Sequence, residues 1–595
     1  MNIRKRLLVI FLFTVLLISV VGCSNINSSN NEEVSNQGEE KITSFPRNET
    51  LYFNGFQWGA PTNFNPISPN SMAFISNSKP LPQEIVYETL FTYNILDGKL
   101  YPLLGKEYAW DDNILTIFLN QDVKWNDGTA FTADDLIYTI ELGKRYDLRI
   151  SETCNSIKEA KKVDDYTVQL IVDAENVNPN VVEPVLCELY MMPKHVWEKY
   201  ETEVDENVNA LTQLVNEKPI SSGPYKVYSY DESKVVFVRD DNYWGQASSM
   251  FGKLPSPKYI VHNIYKDNSS GDTAFRAGQV DVSRQFIPNV WTMWESGLPV
   301  ETYISQAPYH LPGSIPSLIF NMTKEGLNDS AVRKAIAMII DYKKIADTAM
   351  SGYTDPVVPS LLLPIESEQS LIVQEALSEY QWNPLDFEKA NKILDEAGWV
   401  KGSNGIREKN GVQLSFKLSS PAGWSDWNAT LEIIAQNGKQ VGIDLKTYSP
   451  EYSVFSNDRA MGNFDILMEK YAGIGVAAPL NRAIQTMSSE FYAPIGEEAY
   501  FNYGRYQNHE ADRLLRLLET ESQQEKIVEY WTELNRIYLE DLPTVPLMYR
   551  PYDFHTVNTS VWTGFPTEND GSNIPPGLCV DSHGIHALYR IEPKQ

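Results

Sequence analysis

Hydrophobic and polar positions fall into three regimes along the chain. Residues 7–21 form an apolar run, Leu7 to Val21, behind Arg4, Lys5 and Arg6. Residues 24–45 are rich in Ser, Asn and Glu and nearly free of large apolar side chains, too polar to bury a core. From Leu51 onward, helical and strand periodicities alternate. Leu51–Asn54, Ile114–Leu119, Tyr166–Val172, Val235–Val238 and Leu414–Leu418 read as strands. Pro82–Phe91 reads as a helix facing inward through Ile85, Val86, Thr89 and Leu90. Thr132 stands as an N-cap with Asp135 in the capping-box position, ahead of a face of Leu136, Ile137, Ile140 and Leu142. Asp329 caps a helix whose face is Val332, Ala335, Ile336 and Ile339. Phe387, Ala390, Ile393, Leu394 and Ala397 form another stripe, closed by Gly398 at the C′ position. The irregular alternation with long crossovers predicts α/β lobes built on mixed sheets. No repeat at a period of about 20–50 residues is present.

Composition narrows the class. The chain has 595 residues; beyond the apolar run, roughly 570 remain, enough for two to four domains or one large two-lobed body. Hydrophobic content of 42% and charged content of 22% are those of a folded soluble body. The net charge of −28 excludes a nucleic-acid binder, which needs a basic surface, and disfavours electrostatic docking on anionic lipid. Aromatics are abundant, with 13 Trp and 33 Tyr, and flat rings serve extended ligands as well as cores.

The start of the chain carries a second signal. A basic n-region, a short apolar h-region and Val20-Val21-Gly22-Cys23 resemble the lipobox of bacterial lipoproteins. The run is short for a bilayer-spanning helix, which needs about 20 residues. The resemblance implies a signal peptide over 1–22, cleavage, diacylation of Cys23 and a lipidated flexible tether over 23–45. Two acyl chains hold a protein stably on a membrane. The expected location is the outer face of the cytoplasmic membrane. The other cysteines are Cys154, Cys187 and Cys579; a Cys154–Cys187 disulfide and buried free thiols are both open readings.

Catalytic motifs are missing: there is no Walker loop, no His-Glu-x-x-His and no Gly-x-Ser-x-Gly. Cys579, Asp581, His583 and His586 cluster near the end, but in a Gly- and Pro-rich tail they read as surface or fold-closing residues. No catalytic residue, metal or cofactor is expected. A secreted glycosidase, which needs two carboxylates about one bond, is the remote alternative.

Trp125-Asn126-Asp127-Gly128-Thr129-Ala130-Phe131-Thr132-Ala133-Asp134-Asp135 resembles the signature region of the family 5 bacterial extracellular solute-binding proteins. Further pieces follow in the family's order. They are Met192–Trp197, Ser222–Val227, Asn242–Gly245, Ala277–Val282, Asp329–Ile336, Glu396–Trp399 and Val441–Leu445. The family comprises the peptide-, oligosaccharide- and nickel-binding subunits of ABC importers. The resemblance implies a two-lobed, class II periplasmic-binding-protein-like α/β fold with mixed sheets and an extra inserted domain. Lobe one is expected over 46–60, 215–312 and 545–595, the insert over 61–214 and lobe two over 313–544. The implied partners are an ABC permease and its ATPase subunits, and the ligand lies between the lobes. Peptide-binding relatives place an Asp in the loop Pro421–Asn428 to hold a ligand ammonium, and Asp426 matches by position. Its bland alternative is helix capping. The candidate ligand residues are Trp58, Phe64 and Asn65 from one loop and Trp424, Asp426, Trp427 and Asn428 from the other. For Trp58 and Phe64, large aromatics on a loop, the buried plug is the first reading and the ligand platform the second. Trp faces stack on sugar rings, so the expected ligand is an oligosaccharide, with an oligopeptide as the alternative.

Overall fold

A computed structural model describes residues 44–68, 71–76, 82–146, 148, 150–173, 178–355, 357–380 and 385–595. Cys23 and the expected signal peptide and tether lie outside the described residues, apart from Ser44 and Phe45. The folded unit runs from Phe45 to Gln595. None of its described helices is long and apolar enough to cross a membrane.

Two large mixed sheets organise this unit. The first has seven strands in the order Val300–Thr302, Thr556–Asn558, Val282–Ser283, Thr50–Asn54, Tyr259–Asn263, Lys234–Arg239 and Tyr225–Tyr230. Thr50–Asn54 runs parallel to both neighbours, Tyr259–Asn263 and Val282–Ser283. It is buried on both faces, as its run of apolar residues demands. The second sheet has five strands: Asp444–Tyr448, Ser415–Ser419, Ile466–Glu469, Ser317–Phe320 and Thr544–Pro546. Ser415–Ser419 runs parallel to both its neighbours. A third, antiparallel sheet of Gly105–Asp111, Ile114–Leu119, Thr167–Ile171 and Glu159–Asp164 is formed within the segment between the first two strands of the seven-stranded sheet. Leu115, Ile117 and Leu119 alternate inward from it, and the helix Ala133–Arg145 packs on it. The chain passes between the two large sheets at a short antiparallel ladder, Pro312–Ser314 against Arg550–Pro551.

The elements the sequence predicts are largely present. Asp329 accepts from the Ala331 amide at 3.0 Å, and Gly398 takes a φ of 84° after the helix Phe387–Glu396. One prediction is corrected. Pro82–Phe91 is not a helix, although Ile85, Val86, Thr89 and Leu90 are fully buried. The carbonyls of Ile85 and Val86 accept from the amides of Tyr225 and Gly223, both at 2.8 Å, so they do not close a helical ladder. Gly223 is required there, because a Cβ would stand 2.6 Å from the Val86 oxygen. All three described cysteines are buried free thiols, which answers the open question about a Cys154–Cys187 bridge.

The recognisable motifs brace one another. Asp127 pairs with His195 at 2.7 Å, and Asp135 accepts from the Lys194 amide at 2.9 Å. Asp281 accepts from the Tyr52 amide at 2.9 Å and from Arg47 at 2.7 and 2.5 Å, holding the first strand. Trp399 donates its indole N–H to Asp329 at 3.0 Å. Glu88 accepts from the Tyr243 hydroxyl at 2.6 Å and from the Trp244 indole at 3.1 Å. Burial pushes the Glu88 carboxyl up to about 8, and hydrogen bonds from Tyr243 and Trp244 only partly oppose it.

Glu88 therefore keeps a proton in the folded chain from about pH 4.5 to 8, where the unfolded chain has released it. Stability falls as pH rises through that window, at up to about 1.4 kcal/mol per pH unit. Glu88→Gln is predicted to flatten this loss, so that its unfolding free energy relative to the wild type improves from about pH 5 to pH 8. Parallel pH profiles in denaturant titrations would contradict the assignment.

Candidate functional site

In open α/β sheets, ligands bind beyond the carboxyl ends of the parallel strands. In the first sheet those ends carry Asn54 and Ser283, followed by Arg284 and Gln285; in the second, Ser419 leads into the loop 420–424. The two regions meet. The Asn268 side chain donates to the Ser425 hydroxyl at 3.4 Å, and a Cβ on Gly423 would lie 3.5 Å from the Asp267 Cβ. Arg550, on the crossing ladder, donates its Nε to Asp426 Oδ2 at 2.7 Å.

The charges here compensate one another. Asp426 has a side chain only 1% exposed and sits in the first turn of the helix Ser425–Gly438, where amide dipoles favour an anion. Arg284 has a fully buried side chain and donates Nη2 to Asp553 at 3.0 Å and to Asp581 at 2.6 Å. The Phe56 ring centroid lies 4.3 Å from the same guanidinium carbon. Gly55, with φ of 94°, makes this approach feasible, since a Cβ there would meet the Arg284 Cβ at 2.7 Å. Arg459 is paired with Glu469. Lys470 stands beside this group, its ammonium pulled down to about 8 by burial and then by the Arg550 charge. Four cations, Arg284, Arg459, Lys470 and Arg550, thus meet four carboxylates, those of Asp426, Glu469, Asp553 and Asp581.

Beside this network lies a cavity of about 20 Å³, large enough for about one water. His310, His555 and Asp553 line it, with Tyr303, Leu311 and Tyr552. Burial holds both imidazoles down to about 3; His555 adds to the effect on His310, and Arg284 to that on His555. Both are neutral at physiological pH, each offering one donor and one acceptor. Both ring nitrogens of His555, Nδ1 of His310, Oδ1 of Asp426 and of Asp553, and Nε1 of Trp427 are buried with no hydrogen-bond partner among the described residues. Buried polar groups are ordinarily satisfied, so these atoms keep hydrogen-bonding capacity for water or a bound solute.

The sequence-predicted residues divide. Trp424 is half-buried, stacks on Tyr452 at 5.9 Å with 21° between planes, and meets Trp427 edge-on at 4.7 Å. Trp427 is fully buried, though its indole N–H is one of those unmatched donors. Asn428 is a brace: its Oδ1 accepts from Ser420 at 2.6 Å and Ser449 at 2.8 Å. Asp426 is not the helix cap; Trp424 occupies that position, and the carboxylate goes to Arg550. Trp58 stands 37% exposed. Phe64 and Asn65 are core residues and not a ligand platform: the Phe64 ring packs 4.8 Å from Tyr230, and Asn65 donates to the Leu211 carbonyl at 2.8 Å. The sequence reading missed Arg284, Arg550, Asp553, His310 and His555. A charge or imidazole directly abutting a buried strand, as in Val282-Ser283-Arg284 and Asp553-Phe554-His555, was the available signal.

The pair Asp426–Arg550 yields a prediction. Arg550→Met leaves a buried carboxylate unpaired and is expected to cost on the order of 3 kcal/mol. Adding Asp426→Leu should recover most of that loss, because an apolar pair of similar volume is often neutral. Urea denaturation of the two variants checks this; an Arg550→Met protein as stable as the wild type would contradict it.

The profile described as "Bacterial extracellular solute-binding proteins, family 5 Middle" matches residues 99–489, well over half of the chain. The nickel-binding periplasmic protein of Escherichia coli is 28% identical over 431 residues, 69% of this chain and 74% of that protein. A mannohexaose-bound periplasmic oligopeptide-binding protein of an ABC transporter of Thermotoga maritima superposes with a TM-score of 0.83 at 30% identity, covering 93% of this chain and 100% of that one. The oligopeptide-binding protein AppA of Bacillus subtilis, in complex with a nonapeptide, shares the fold with a TM-score of 0.70 at 19% identity, covering 92% and 99%. The two sheets, the polar surface between them and the extent of these matches lead to one statement: the chain belongs to family 5 of the bacterial extracellular solute-binding proteins.

Proposed function

We infer that this solute-binding protein of an ABC import system captures an uncharged oligosaccharide between its lobes and delivers it to the permease. The observation that carries this reading is the internal partner of Asp426. A peptide held by its ammonium needs a carboxylate whose charge is unmatched, and here Arg550 already neutralises Asp426 through Oδ2 at 2.7 Å, leaving Oδ1 as an acceptor in a charge-matched pair. An ammonium on Oδ1 would add an unmatched positive charge to that pair in a poorly solvated place. A neutral polyhydroxyl chain needs no such exchange. Once opening of the lobes widens the one-water cavity, it can use the unmatched oxygens and nitrogens of Asp426, Asp553, His310 and His555 for hydroxyls, and the part of the half-buried Trp424 that Tyr452 does not cover for a ring. The mannohexaose in the Thermotoga maritima relative agrees with this chemistry. The second reading, an oligopeptide, draws on the nonapeptide of AppA.

The lobes are taken to close about the crossing ladder Pro312–Ser314 and Arg550–Pro551. We place lobe one over 46–60, 215–312 and the C-terminal segment, the insert over 61–214 and lobe two from 313. Lobe two extends past 544 through Pro546, because Thr544–Pro546 pairs within the second sheet. The protein itself performs no chemistry in this reading; the permease's ATPase subunits supply the work. Acylation of Cys23 would anchor it at the outer face of the cytoplasmic membrane, a proposal supported by the basic, apolar and Gly-Cys sequence order.

Calorimetry with cello-, xylo- and manno-oligosaccharides beside di- to pentapeptides tests the ligand class. The expected result is binding of a neutral glycan. Trp424→Ala should weaken that binding by about 1–3 kcal/mol, the worth of a large buried side chain. Tight binding of a peptide with no response to any glycan would overturn the proposal.

A further inference from the structure

A small apolar cluster stands apart from the two large cores and is assembled from both sides of the crossing ladder. Tyr93, Ile95 and Leu100 enter it from the hairpin 91–102, whose strands are Phe91–Asn94 and Lys99–Pro102. This hairpin, like the four-stranded sheet, lies in the segment between the first two strands of the seven-stranded sheet. Leu363 and Ile365 enter from the segment 361–368, and Ile474 and Val476 from the loop after the strand Ile466–Glu469 of the five-stranded sheet. Ile315, Tyr549 and Tyr552 flank the ladder between them.

Each side is stiff by itself. On the hairpin, Tyr93 and Leu100 stand directly opposite one another and so share a face. The Tyr93 amide donates to the Ser582 hydroxyl at 2.6 Å, Thr92 Oγ1 lies 3.0 Å from His583 Nδ1, and the Asn94 side chain donates to the Asn573 carbonyl at 2.9 Å. Across the contact, the buried Arg482 donates to Glu368 at 2.8 and 3.2 Å and to the Leu361 carbonyl at 2.6 Å. The same guanidinium donates to the carbonyls of Ala472 and Gly473 at 2.8 and 2.5 Å, which fixes both segments as one apolar face. What joins the two faces is packing of apolar side chains, a non-directional contact that can part and re-form. The cluster also walls the inner cavity: Tyr93, Ile95, Ile474 and Tyr552 line it beside His310 and His555. At about 20 Å³ the cavity takes about one water, so a larger solute reaches those imidazoles only when this wall opens.

We propose that the hairpin 91–102 is an apolar latch: Tyr93, Ile95 and Leu100 hold the lobes shut against Leu363, Ile474 and Val476, and a solute must part them to enter. The proposal rests on lobe closure about the crossing ladder and is independent of the ligand class. It gives the hairpin a regulatory role. The latch sets the fraction of the protein that stands open, and the affinity for any solute is reduced in proportion to that fraction.

The test needs no ligand. Spin labels at Lys99→Cys and Glu366→Cys, both exposed positions on opposite sides of the contact, report the gap by electron–electron distance measurement. The full chain carries Cys23→Ser, its other cysteines are buried, and retained solute is removed by unfolding and refolding. With the latch residues unaltered, one short, narrow distance is expected. Ile95→Asp from one side and Val476→Asp from the other each place a charge in the contact and should lengthen and broaden that distance. Val476→Thr, which keeps the shape and adds only a hydroxyl, should move part of the population the same way and serves where the charged variants do not fold. A distribution already long and broad with the latch unaltered would overturn the latch and leave the hinge standing. One unchanged short distance in every variant would overturn both.

Discussion

The contact between Asp426 and Arg550 joins the two large sheets where their connecting loops meet. Asp426 lies in the first turn of the helix that follows a strand of the five-stranded sheet, and Arg550 lies on a strand by which the chain leaves that sheet. Their 2.7 Å bond ties the start of the helix Ser425–Gly438 to the crossing ladder. It also neutralises the one carboxylate that the family resemblance assigns to a ligand ammonium, leaving Oδ1 without a partner. Arg284 behaves likewise: buried under Phe56, it is matched by Asp553 and Asp581. Beside these pairs, Oδ1 of Asp426 and of Asp553, the neutral imidazoles of His310 and His555, and Nε and Nη1 of Arg284 are buried polar atoms with no hydrogen-bond partner among the described residues.

Around this cleft, the motifs by which the family is recognised serve mainly as scaffold. Asp127 reaches His195, Asp135 reaches the Lys194 amide, and Asp281 holds the first strand. Glu88 sits under Tyr243 and Trp244, and Gly223 lets the chain pass against Val86. The shared motifs therefore identify the fold without specifying the cargo, which explains how one family accommodates chemically different ligands.

What could be read from the chain follows the range of the interactions. Strand alternation at Ile114–Leu119, the caps at Thr132 and Asp329, and the C′ glycine Gly398 are local, and the structure contains them. Pro82–Phe91 carries helical spacing, but its carbonyls are claimed by a strand more than a hundred residues away. Phe64 and Asn65 looked like a platform because loop aromatics and amides are ambiguous until their neighbours, Tyr230 and Leu211, are known. Asp426 was found by position, yet its partner lies 124 residues on, and the partners of Arg284 lie 269 and 297 residues away. No periodicity encodes such pairings.

The most direct test of the central claim is a crystal structure of the protein carrying the solute it retains when purified from its native host. The account predicts density for an uncharged glycan between the lobes, its hydroxyls on His310, His555 and Asp553, with the Asp426–Arg550 bond intact. A peptide whose ammonium has displaced Arg550 from Asp426 would contradict it.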